Sequence, residues 1–491
     1  MFKDYIYSQK QNIVSSICDL ITYPSISEEN DNLHFPFGKA CSDALKYFLH
    51  LAESLGFRTK NIDGYCGYAE FGEGSQLIGI VGHLDVVPAV EEDWTYLPFT
   101  PTIYKNRIYG RGAIDDKGPV IASLYAMKAV MDYCIENNKP ISKRVRLIVG
   151  LNEETNWKCI EYYKEHEEIP TVGFSPDADF PCIYAEKSVL SVLVSQVLPT
   201  DKKTNLLKKL LNTTSPIQIE SMDCANNAIN VVPKICTSIL YIEKNINSTN
   251  LITFLKSKID QYNYDIDLYK IDDTHLKLTS YGIAAHSAHP DLGTNAITKL
   301  LIVLQDLFEE YHCHFPLLST FCKYIGDYYN GEGLNLASED ESGKLTLNTS
   351  QCYIKNHTLY IGMNLRIPVK TNCDSVIEKL ENLFKEEAIS FSILDKKAAL
   401  YVNKNDPLVQ KLSQIFNETC GGTAFEPIAI GGATYARAFP NCISFGMNFP
   451  GDKDMCHQAD EFIDIDKLIL STNIYAKTIY ELLFYNNYVK L

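Results

Sequence analysis

Two adjacent glutamates, Glu153 and Glu154, directly follow the apolar stretch LIVGL and one asparagine. Neighbouring side chains at the end of a strand point in different directions, so one carboxylate could bind a metal ion while the other handles a proton. Acidic pairs are also common in solvated loops that follow buried strands. Taken alone, the pair therefore leaves both a metal site and a plain surface loop open.

A histidine and an aspartate lie near the end of the β-rich stretch QLIGIVGHLDVV, residues 76–87. Side chains two residues apart on a strand share a face, so His83 and Asp85 are expected to point the same way. A metal-binding imidazole often has a carboxylate behind its other ring nitrogen, which is a position that Asp85 could take. The alternative is a histidine in a polar turn at the end of a strand.

Two aspartates, Asp115 and Asp116, stand between the glycines of GRGAIDDKGP and a helix predicted over residues 118–136. An aspartate before a helix often caps its free amide groups, which accounts for one member of the pair. The second carboxylate could instead bridge two cations. Lys117 is expected to be a surface charge.

Each of three predicted strands in this part of the chain is followed by an acidic or imidazole side chain. The first two are the strands before His83 and before Glu153, and the third is the short apolar strand of VGFSPDADFP, residues 172–181, which is followed by Asp177. Ligands of open α/β sheets lie beyond the carboxyl ends of the strands, so these side chains are expected to meet there. Far downstream, His457 lies in an acid-rich loop. Imidazoles and carboxylates suit zinc, manganese or cobalt, and cocatalytic hydrolases hold two such ions about 3.5–4 Å apart.

Strand-like and helix-like segments alternate in the first part of the chain and again at its end, as in an α/β layer covered on both faces. Between them, alternating apolar and polar residues predict antiparallel strands and amphipathic helices. We therefore predict a discontinuous α/β domain at residues 1–189 and 399–491, with a mixed, mainly parallel sheet flanked by helices. An inserted α+β domain is predicted at residues 190–398, which is long enough for two similar units.

The 491-residue chain is 46% hydrophobic and 22% charged, as soluble globular proteins are. Its net charge of −16 argues against nucleic-acid partners and against anionic membrane surfaces. The N-terminal segment lacks the continuous apolar region of a signal peptide, and the chain has no apolar run long enough to cross a membrane. Fifteen cysteines without CxxC spacing indicate reduced thiols, so we expect a cytoplasmic protein.

Taken in order, the motifs resemble those of one known family. They run from YPSIS through GHLDVVP, GRGAIDDKGP, NEETNWKC, SPDADFP and AAHSAHPDLGTNA to NLRIP, GGATYAR and FPGDKDMCHQADE. Nearly the whole chain is similar to the dinuclear-metal peptidases that include carnosinase, carboxypeptidase G and succinyl-diaminopimelate desuccinylase. The likeness is strongest to bacterial dipeptidase V, of the Xaa-His and β-alanyl dipeptidase type.

The resemblance implies two divalent ions per chain, with zinc expected and manganese or cobalt as alternatives. Asp115 would bridge the two ions. His83 and Asp177 would hold one ion, and Glu154 and His457 would hold the other.

The same resemblance separates the roles of the two adjacent glutamates. Glu153 would be the general base, which takes the proton from the water between the ions and passes it to the leaving amine. Asp85 would orient His83, and the peptide bond between Asp115 and Asp116 would be cis.

By the same resemblance, the inserted domain would act as a lid over the substrate. His286 would help to polarise the scissile carbonyl and stabilise the oxyanion, whereas His289 is expected at the surface. Arg366 would clamp the substrate carboxylate with its planar fork, and a strand-edge ion pair is the alternative. Further substrate contacts are implied for Asn230, Gly431, Gly432, Thr434 and Arg437.

We therefore expect a metal-dependent dipeptidase that hydrolyses dipeptides with a free N-terminus and a free C-terminal carboxylate. An N-acyl amino acid deacylase or desuccinylase on the same metal core is the alternative, and a non-catalytic peptide-binding relative is a third hypothesis. The double-sized lid implies a monomer, because in the dipeptidase V branch its second half takes the place of a dimer partner. Cys456, beside His457, departs from the family pattern and could alter the metal preference.

Overall fold

The computed structural model describes residues 1–32, 34–198, 215–224, 228–440 and 442–485. The described helices are α1 Lys3–Ser8, α2 Lys10–Ile21, α3 Lys39–Ser54, α4 Lys117–Glu136, α5 Lys158–His166, α6 Ser248–Tyr262, α7 Ala296–Glu310, α8 Pro316–Tyr324, α9 Cys373–Glu386, α10 Pro407–Thr419 and α11 Ile465–Phe484. The described strands are β1 Arg58–Ile62, β2 Cys66–Gly72, β3 Leu77–His83, β4 Thr102–Tyr104, β5 Arg107–Tyr109, β6 Arg144–Gly150, β7 Val172–Ser175, β8 Ala178–Asp179, β9 Ile183–Glu186, β10 Ser188–Val197, β11 Ile217–Cys224, β12 Ile235–Ile242, β13 Ile266–Lys270, β14 His275–Tyr281, β15 Glu339–Asp340, β16 Gly343–Lys344, β17 Thr346–Lys355, β18 Thr358–Ile367, β19 Ser390–Lys397, β20 Leu400–Tyr401, β21 Ile428–Ile430, β22 Cys442–Ser444, β23 Met447–Asn448 and β24 Phe462–Asp464.

The chain forms two compact units. The first contains the described residues of 1–185, 400–428 and 434–485, and the second contains those of 186–399 together with 429–433. The short segment 429–433 was not expected to leave the surrounding unit. The assignment of the two units as catalytic domain and lid stays a prediction.

The first unit is built on a mixed sheet with a parallel centre. Its strands run in the order β1-β2-β6-β3-β7-β22-β9-β20. The neighbours β6, β3, β7 and β22 are parallel, whereas β1-β2, β2-β6 and β22-β9 are antiparallel. Every residue of β3 is buried, as expected for a strand covered on both faces. The predicted α/β class is confirmed.

Helix α4 lies against the centre of this sheet. It packs against β3 and β6 and against α11. Most of its residues are buried, from Lys117 in the first turn to Cys134 near its end, so the helix has neighbours on more than one side. The helix predicted at residues 118–136 is confirmed. Because α4 begins directly after Asp115 and Asp116, its packing fixes where these two residues stand.

The second unit holds two antiparallel sheets, with strand orders β17-β18-β10-β19 and β11-β12-β14-β13. Helix α7 packs against β12, β14 and β17, so it contacts both sheets. Helix α9 packs against β10 and β19. The buried apolar side chains of both sheets and of these helices form one core, which includes Val192, Leu240, Leu278, Leu304 and Met363.

The two sheets of the second unit repeat one arrangement. One half consists of the hairpin β11-β12, then helix α6 and then strand β13. The other half consists of the hairpin β17-β18, then helix α9 and then strand β19. In each sheet one further strand, β14 in the first and β10 in the second, lies third in the strand order. Both hairpins have an irregular register in their first strand, between Ile219 and Ser221 in one and between Thr349 and Gln351 in the other. The insert therefore holds two similar α+β halves, for which its length leaves room.

The reduced thiols expected from the cysteine spacing are seen in the structure. All fifteen cysteines lie among the described residues, and all are free thiols. None of the described helices combines the length and the apolar character that spanning a lipid bilayer requires.

Candidate active site

Acidic and imidazole side chains meet at one edge of the first unit's sheet. His83 is the last residue of β3, Glu153 and Glu154 follow β6, and Asp177 follows β7. Strand β3 lies between β6 and β7 and is parallel to both. The carboxyl ends of three adjacent strands therefore supply these side chains, at the edge where open α/β sheets bind ligands.

Asp115 lies between two histidines. Its Oδ1 is 3.1 Å from Nε2 of His83, and its Oδ2 is 3.1 Å from Nε2 of His457. On the first side, Oδ2 of Asp177 is 3.6 Å from the His83 nitrogen. On the second side, Oε2 of Glu154 is 3.0 Å from the His457 nitrogen. The five side chains, called the metal cluster below after the ions that the resemblance implies, thus form two halves that share one carboxylate.

Asp85 connects the ends of two strands behind the metal cluster. Its two carboxylate oxygens accept hydrogen bonds from the amides of Glu153 and Glu154, each at 3.1 Å. Nδ1 of His83 lies 3.0 Å from the backbone oxygen of Asp85 and 3.5 Å from its carboxylate. Strand β3 ends at His83, and the carboxylate of Asp85 still faces the ring nitrogen of His83 that points away from Asp115. Asp85 therefore contacts the ring through its backbone oxygen and its carboxylate, and the same carboxylate holds the two glutamates.

The peptide bond between Asp115 and Asp116 is cis, as expected from the resemblance. Asp116 precedes α4, but its side chain makes no capping hydrogen bond to the helix. Its Oδ2 accepts a hydrogen bond from the amide of His83 at 3.0 Å instead. A Cβ on Gly82 would lie 2.3 Å from this oxygen, so only glycine fits beside it. Helix capping therefore does not account for Asp116, which supports the backbone of a cluster histidine.

The prediction that Lys117 is a surface charge is wrong. The side chain is completely buried, and Nζ donates a hydrogen bond to the backbone oxygen of Tyr23 at 2.7 Å. Burial lowers the pKa of this ammonium to about 7. The prediction failed because other parts of the protein bury the first turn of α4, which begins with Lys117. The local sequence gives no sign of this tertiary contact.

The electrostatics of the metal cluster reflect carboxylates crowded into a buried place. Burial and the charge on Asp115 raise the pKa of Glu154 to about 7, and the same two causes raise the pKa of Asp177. His457 is half-exposed. Its partial desolvation would lower the pKa of the imidazole, but hydrogen bonds with Asp115 and Glu154 outweigh this effect and raise the pKa to about 11. The carboxylates therefore stabilise a positive charge within the metal cluster.

The metal cluster fits divalent cations by its chemistry. Ligand atoms of His83, Asp115 and Glu154 lie within 4.8 Å of one another. Nε2 of His83 is buried and makes no well-formed hydrogen bond to any described residue, although two carboxylate oxygens face it. Buried polar atoms normally have partners, so this geometry suits a cation between the side chains better than the side chains alone. Nitrogen and oxygen donors suit zinc, manganese or cobalt.

Cys456 directly precedes the cluster histidine His457 in the chain. Its amide donates to Oδ1 of Asp454 at 2.9 Å. Burial and the charge on Asp115 raise the pKa of its thiol well above the ordinary value. Among the described residues, its sulfur belongs to no group of three or more potential ligands.

Arg366 in the second unit is held by oxygens of three residues. It is buried on β18, where Nη1 donates to the backbone oxygen of Gly431 at 3.1 Å and Nε donates to Oδ1 of Asn364 at 3.0 Å. Nη2 is 3.4 Å from Oγ of Ser287, which itself donates to Oδ1 of Asn364 at 2.8 Å. Strand β18 has neighbours on both sides, so Arg366 is not on a sheet edge.

His286 lies in a loop next to this arginine's partners. It pairs with Val231 in an isolated antiparallel bridge, and its Nδ1 accepts from the amide of Ala288 at 3.2 Å. The amide of Ser287 donates to the backbone oxygen of Asn230 at 2.9 Å. The structure therefore brings Asn230, His286, Arg366 and Gly431 together within the second unit. His289 is exposed, as predicted.

The glycine-rich loop near residue 431 is divided between the two units. Gly431 and Gly432 belong to the second unit, whereas Thr434 and Arg437 belong to the first. Oγ1 of Thr434 is 2.6 Å from Oγ of Ser444 and accepts the amide of Ala436, so it begins the short 3-10 helix that carries Arg437. The structure does not gather these residues around one point of either unit.

Two well-connected residues were missed by the sequence analysis. Asn364 links Arg366 to Ser287, and Glu461 accepts hydrogen bonds from the loop that carries Asp115. A signal for the first was present, because residues two apart on a strand share a face. Glu461 stands four residues after the predicted ligand His457, but its hydrogen-bond donors come from a distant part of the chain, so the local sequence gave no signal for its role.

Comparison with known proteins identifies the family. A model of peptidase family M20/M25/M40 matches residues 79–481. The chain belongs to this family. It is a peptide hydrolase, and the resemblance that its motifs carry is confirmed. Within M20/M25/M40, the protein named "Putative dipeptidase YtjP" of Bacillus subtilis is 36% identical over 481 residues, which cover 97% of this chain and 98% of that protein. "Putative dipeptidase SH1171" of Staphylococcus haemolyticus is 30% identical over 486 residues, 98% of this chain and 99% of that protein.

Solved structures of the M20 fold are also similar over nearly the whole chain. Human carnosine dipeptidase 1 matches with a TM-score of 0.57 at 14% identity, covering 98% of both chains. The dipeptidase Dug1p of Saccharomyces cerevisiae matches with a TM-score of 0.56 at 13% identity, again covering 98% of both chains. At these identities the likeness shows a shared fold.

Proposed function

We propose that this M20 peptidase is a metal-dependent dipeptidase, acting on dipeptides with a free N-terminus and a free C-terminal carboxylate. The proposed metal dependence is supported above all by the position of Asp115, which lies between the two halves of the metal cluster. Each half offers one imidazole and one further carboxylate, His83 with Asp177 and His457 with Glu154. This is the donor set of two ions that share a carboxylate. The dipeptidase names of full-length relatives support the substrate class.

Glu153 is the proposed general base. The amides of Glu153 and Glu154 are both held by Asp85, so the two neighbours have fixed positions at the end of β6. Glu154 faces His457, which supports the proposal that the second glutamate binds an ion and that the first transfers the proton. In the reaction, Glu153 takes the proton of the attacking water and delivers it to the nitrogen of the leaving amine.

The metal cluster would hold two divalent ions, zinc in the first place and manganese or cobalt as alternatives. Bound there, the ions would polarise the scissile carbonyl and lower the pKa of the attacking water. His83, Asp85 and Asp116 give the cluster its fixed geometry, because their hydrogen bonds connect the ends of β3 and β6 with the start of α4.

The second unit is proposed to recognise the substrate. Arg366 would bind the C-terminal carboxylate, for which a planar guanidinium is suited. Gly431 and Gly432 of this unit are further proposed substrate contacts, as are Thr434 and Arg437 of the first unit. His286 would donate a hydrogen bond to the carbonyl oxygen as it becomes negative. Asn230, whose backbone oxygen holds Ser287 next to that histidine, would support the same contact.

Hydrolysis of a small substrate panel tests this function. Protein stripped with a chelator is supplied with Zn²⁺, Mn²⁺ or Co²⁺ and given dipeptides, the same dipeptides with an acetylated N-terminus, and a tripeptide. We expect cleavage of the free dipeptides only, restored by added metal and absent from the stripped protein.

Other outcomes of the panel would assign other functions. Cleavage of the acetylated forms alone would make the protein an N-acyl amino acid deacylase with the metal cluster unchanged. Intact dipeptides in the presence of all three ions would overturn the dipeptidase proposal. Full activity in the stripped protein, with metal analysis reading zero, would overturn the metal dependence.

A further inference from the structure

A buried carboxylate outside the proposed ligands holds the loop that carries Asp115. Glu461 is completely buried, and its Oε2 accepts hydrogen bonds from Nη1 of Arg111 at 2.7 Å and from the amide of Gly112 at 3.1 Å. Its Oε1 accepts from the amide of Ile114 at 2.9 Å and from that of Asp115 at 3.2 Å. Four donors from five consecutive residues therefore surround one side chain.

The negative charge of Glu461 is balanced within the same loop. Arg111 is buried, and its guanidinium carbon lies 5.1 Å from the centre of the Trp94 ring. Its backbone amide donates to the oxygen of Pro98 at 2.8 Å. A buried ion pair is stable only when further hydrogen bonds satisfy the charged groups. Here three backbone amides donate the additional hydrogen bonds that the carboxylate of Glu461 needs. Such a pair favours one conformation of the loop over others.

Glu461 is also fixed to the segment that carries His457. It stands four residues after this histidine, and the strand that follows it, β24, pairs with β5. The amide of Gly110 donates to the backbone oxygen of Glu461 at 3.0 Å. The residue thus connects the loop of one cluster side chain with the chain segment of another.

We propose that Glu461 is a positioning residue, which sets the carboxylate of Asp115 between the imidazoles of His83 and His457. The inference rests on the proposed function, in which Asp115 bridges two ions. Each carboxylate oxygen of Asp115 lies 3.1 Å from Nε2 of a different histidine. A shift of the loop therefore lengthens one of these two distances as it shortens the other. Glu461 therefore decides whether both ions can be held at the same time.

Glu70 offers a matched control for this carboxylate. It is also buried, and it accepts hydrogen bonds from Nε of Arg146 at 2.7 Å and from Nη2 of Arg58 at 3.0 Å. These bonds come from arginine side chains and not from the amides of a loop with a proposed ligand. Replacing either glutamate with glutamine removes one buried charge from an arginine pair, but only the change at Glu461 alters the support of Asp115.

The test compares the full-length variants Glu461→Gln, Glu461→Asp and Glu70→Gln with the wild type. Each protein is stripped with a chelator and titrated in Zn²⁺ buffers, bound Zn²⁺ is counted per chain, and the unfolding temperature of the stripped form is measured in parallel. We expect both Glu461 variants to bind Zn²⁺ about 10- to 100-fold more weakly than the wild type. Glu70→Gln should bind as the wild type does, even where its stripped form unfolds at a lower temperature.

The outcomes separate positioning from a general loss of stability. Equal Zn²⁺ affinity in the wild type and in both Glu461 variants would overturn the inference, as would an equal loss in Glu70→Gln. Glu461→Asp keeps the charge but is one methylene shorter, so it tests the reach of the side chain and replaces the glutamine variant if that does not fold. A wild type that binds none of Zn²⁺, Mn²⁺ and Co²⁺ would overturn the metal dependence of the proposed function instead.

Discussion

The metal cluster of the first unit and the group around Arg366 in the second are held by different kinds of contact. In the cluster, Asp115 faces two imidazoles, and backbone amides hold Asp85 and Asp116 behind them. Around Arg366, oxygens of Asn364, Gly431 and Ser287 accept hydrogen bonds from one guanidinium. The first arrangement gathers carboxylates, and the second orients a single cation.

This difference separates two parts of the proposed reaction. Crowded, buried carboxylates need added positive charge, and the raised pKa of Glu154 and of His457 are two signs of that need. An oriented guanidinium suits the recognition of a planar anion. Changes in the metal cluster should therefore affect ion binding and the chemical step, whereas changes at Arg366 should affect substrate affinity and leave the ions in place.

The largest effect is expected from Asp115→Asn. An amide offers one neutral oxygen in place of two charged ones, so both halves of the cluster lose their shared ligand. We expect the ions to be lost on dialysis and kcat/KM to fall below about one-thousandth of the wild-type value, a loss of about 4 kcal/mol of transition-state stabilisation. Metal analysis and dipeptide hydrolysis measure both effects.

Asp132→Asn is the control for this change. Asp132 lies on α4 and accepts a hydrogen bond from the hydroxyl of Tyr5 at 2.6 Å, away from the proposed ligands. This variant loses the same charge, and with it the ion pair with Lys128, but should keep two ions and full activity. Retention of both ions by Asp115→Asn would contradict the assignment of a shared ligand.

A smaller effect, of a different kind, is expected from Glu153→Gln. General acid–base catalysis contributes about 10²- to 10⁴-fold, so kcat should fall by that factor while the ion content stays at two per chain. The neighbouring variant Glu154→Gln is the matched comparison, because it should lose ion affinity. Steady-state kinetics and metal analysis on both proteins distinguish the two roles. The reverse pattern, with ions lost from Glu153→Gln alone, would exchange the assignments.

The parts of the site that the sequence predicted depend on local patterns. Apolar runs of β-branched residues identified β3 and β6, and acidic or imidazole residues directly after them were expected at one sheet edge. His83, Glu154 and Asp177 do meet there, because parallel neighbours end on the same side. The residues alone left open a bridging carboxylate in the pair Asp115 and Asp116 and a ligand role for His457, and the family resemblance selected Asp115 and His457 for these roles.

The parts that the sequence did not predict depend on neighbours distant in the chain. The partner of Lys117 is a backbone oxygen of Tyr23, and the four donors to Glu461 come from a loop some 350 residues earlier. Asp116 has the sequence position of a helix cap but binds the amide of His83 instead. Tertiary contacts of this kind leave no periodic pattern, so local reasoning describes such residues by their commonest role.

The smallest of the three effects is expected from Arg366→Met. A hydrogen bond to a charged group contributes about 1.5–3 kcal/mol, so KM for a free dipeptide should rise about 10- to 100-fold with little change in kcat. The ion content should stay at the wild-type value, because Arg366 belongs to the other unit of the chain. Arg366→Lys should lie between the wild type and Arg366→Met, since an ammonium keeps the charge but not the planar fork.

Comparing each dipeptide with its C-terminal amide makes this prediction specific. The amide lacks the negative charge that Arg366 is proposed to bind, so the wild type should prefer the free acid. The preference should nearly disappear in Arg366→Met, because the variant loses affinity for the acid and not for the amide. An equal rise of KM for both substrates would mean that the arginine supports the fold around Asn364 and Gly431, and that another group binds the carboxylate. A fall in kcat together with ion loss would mean that the two regions are coupled, which their separate contacts do not predict.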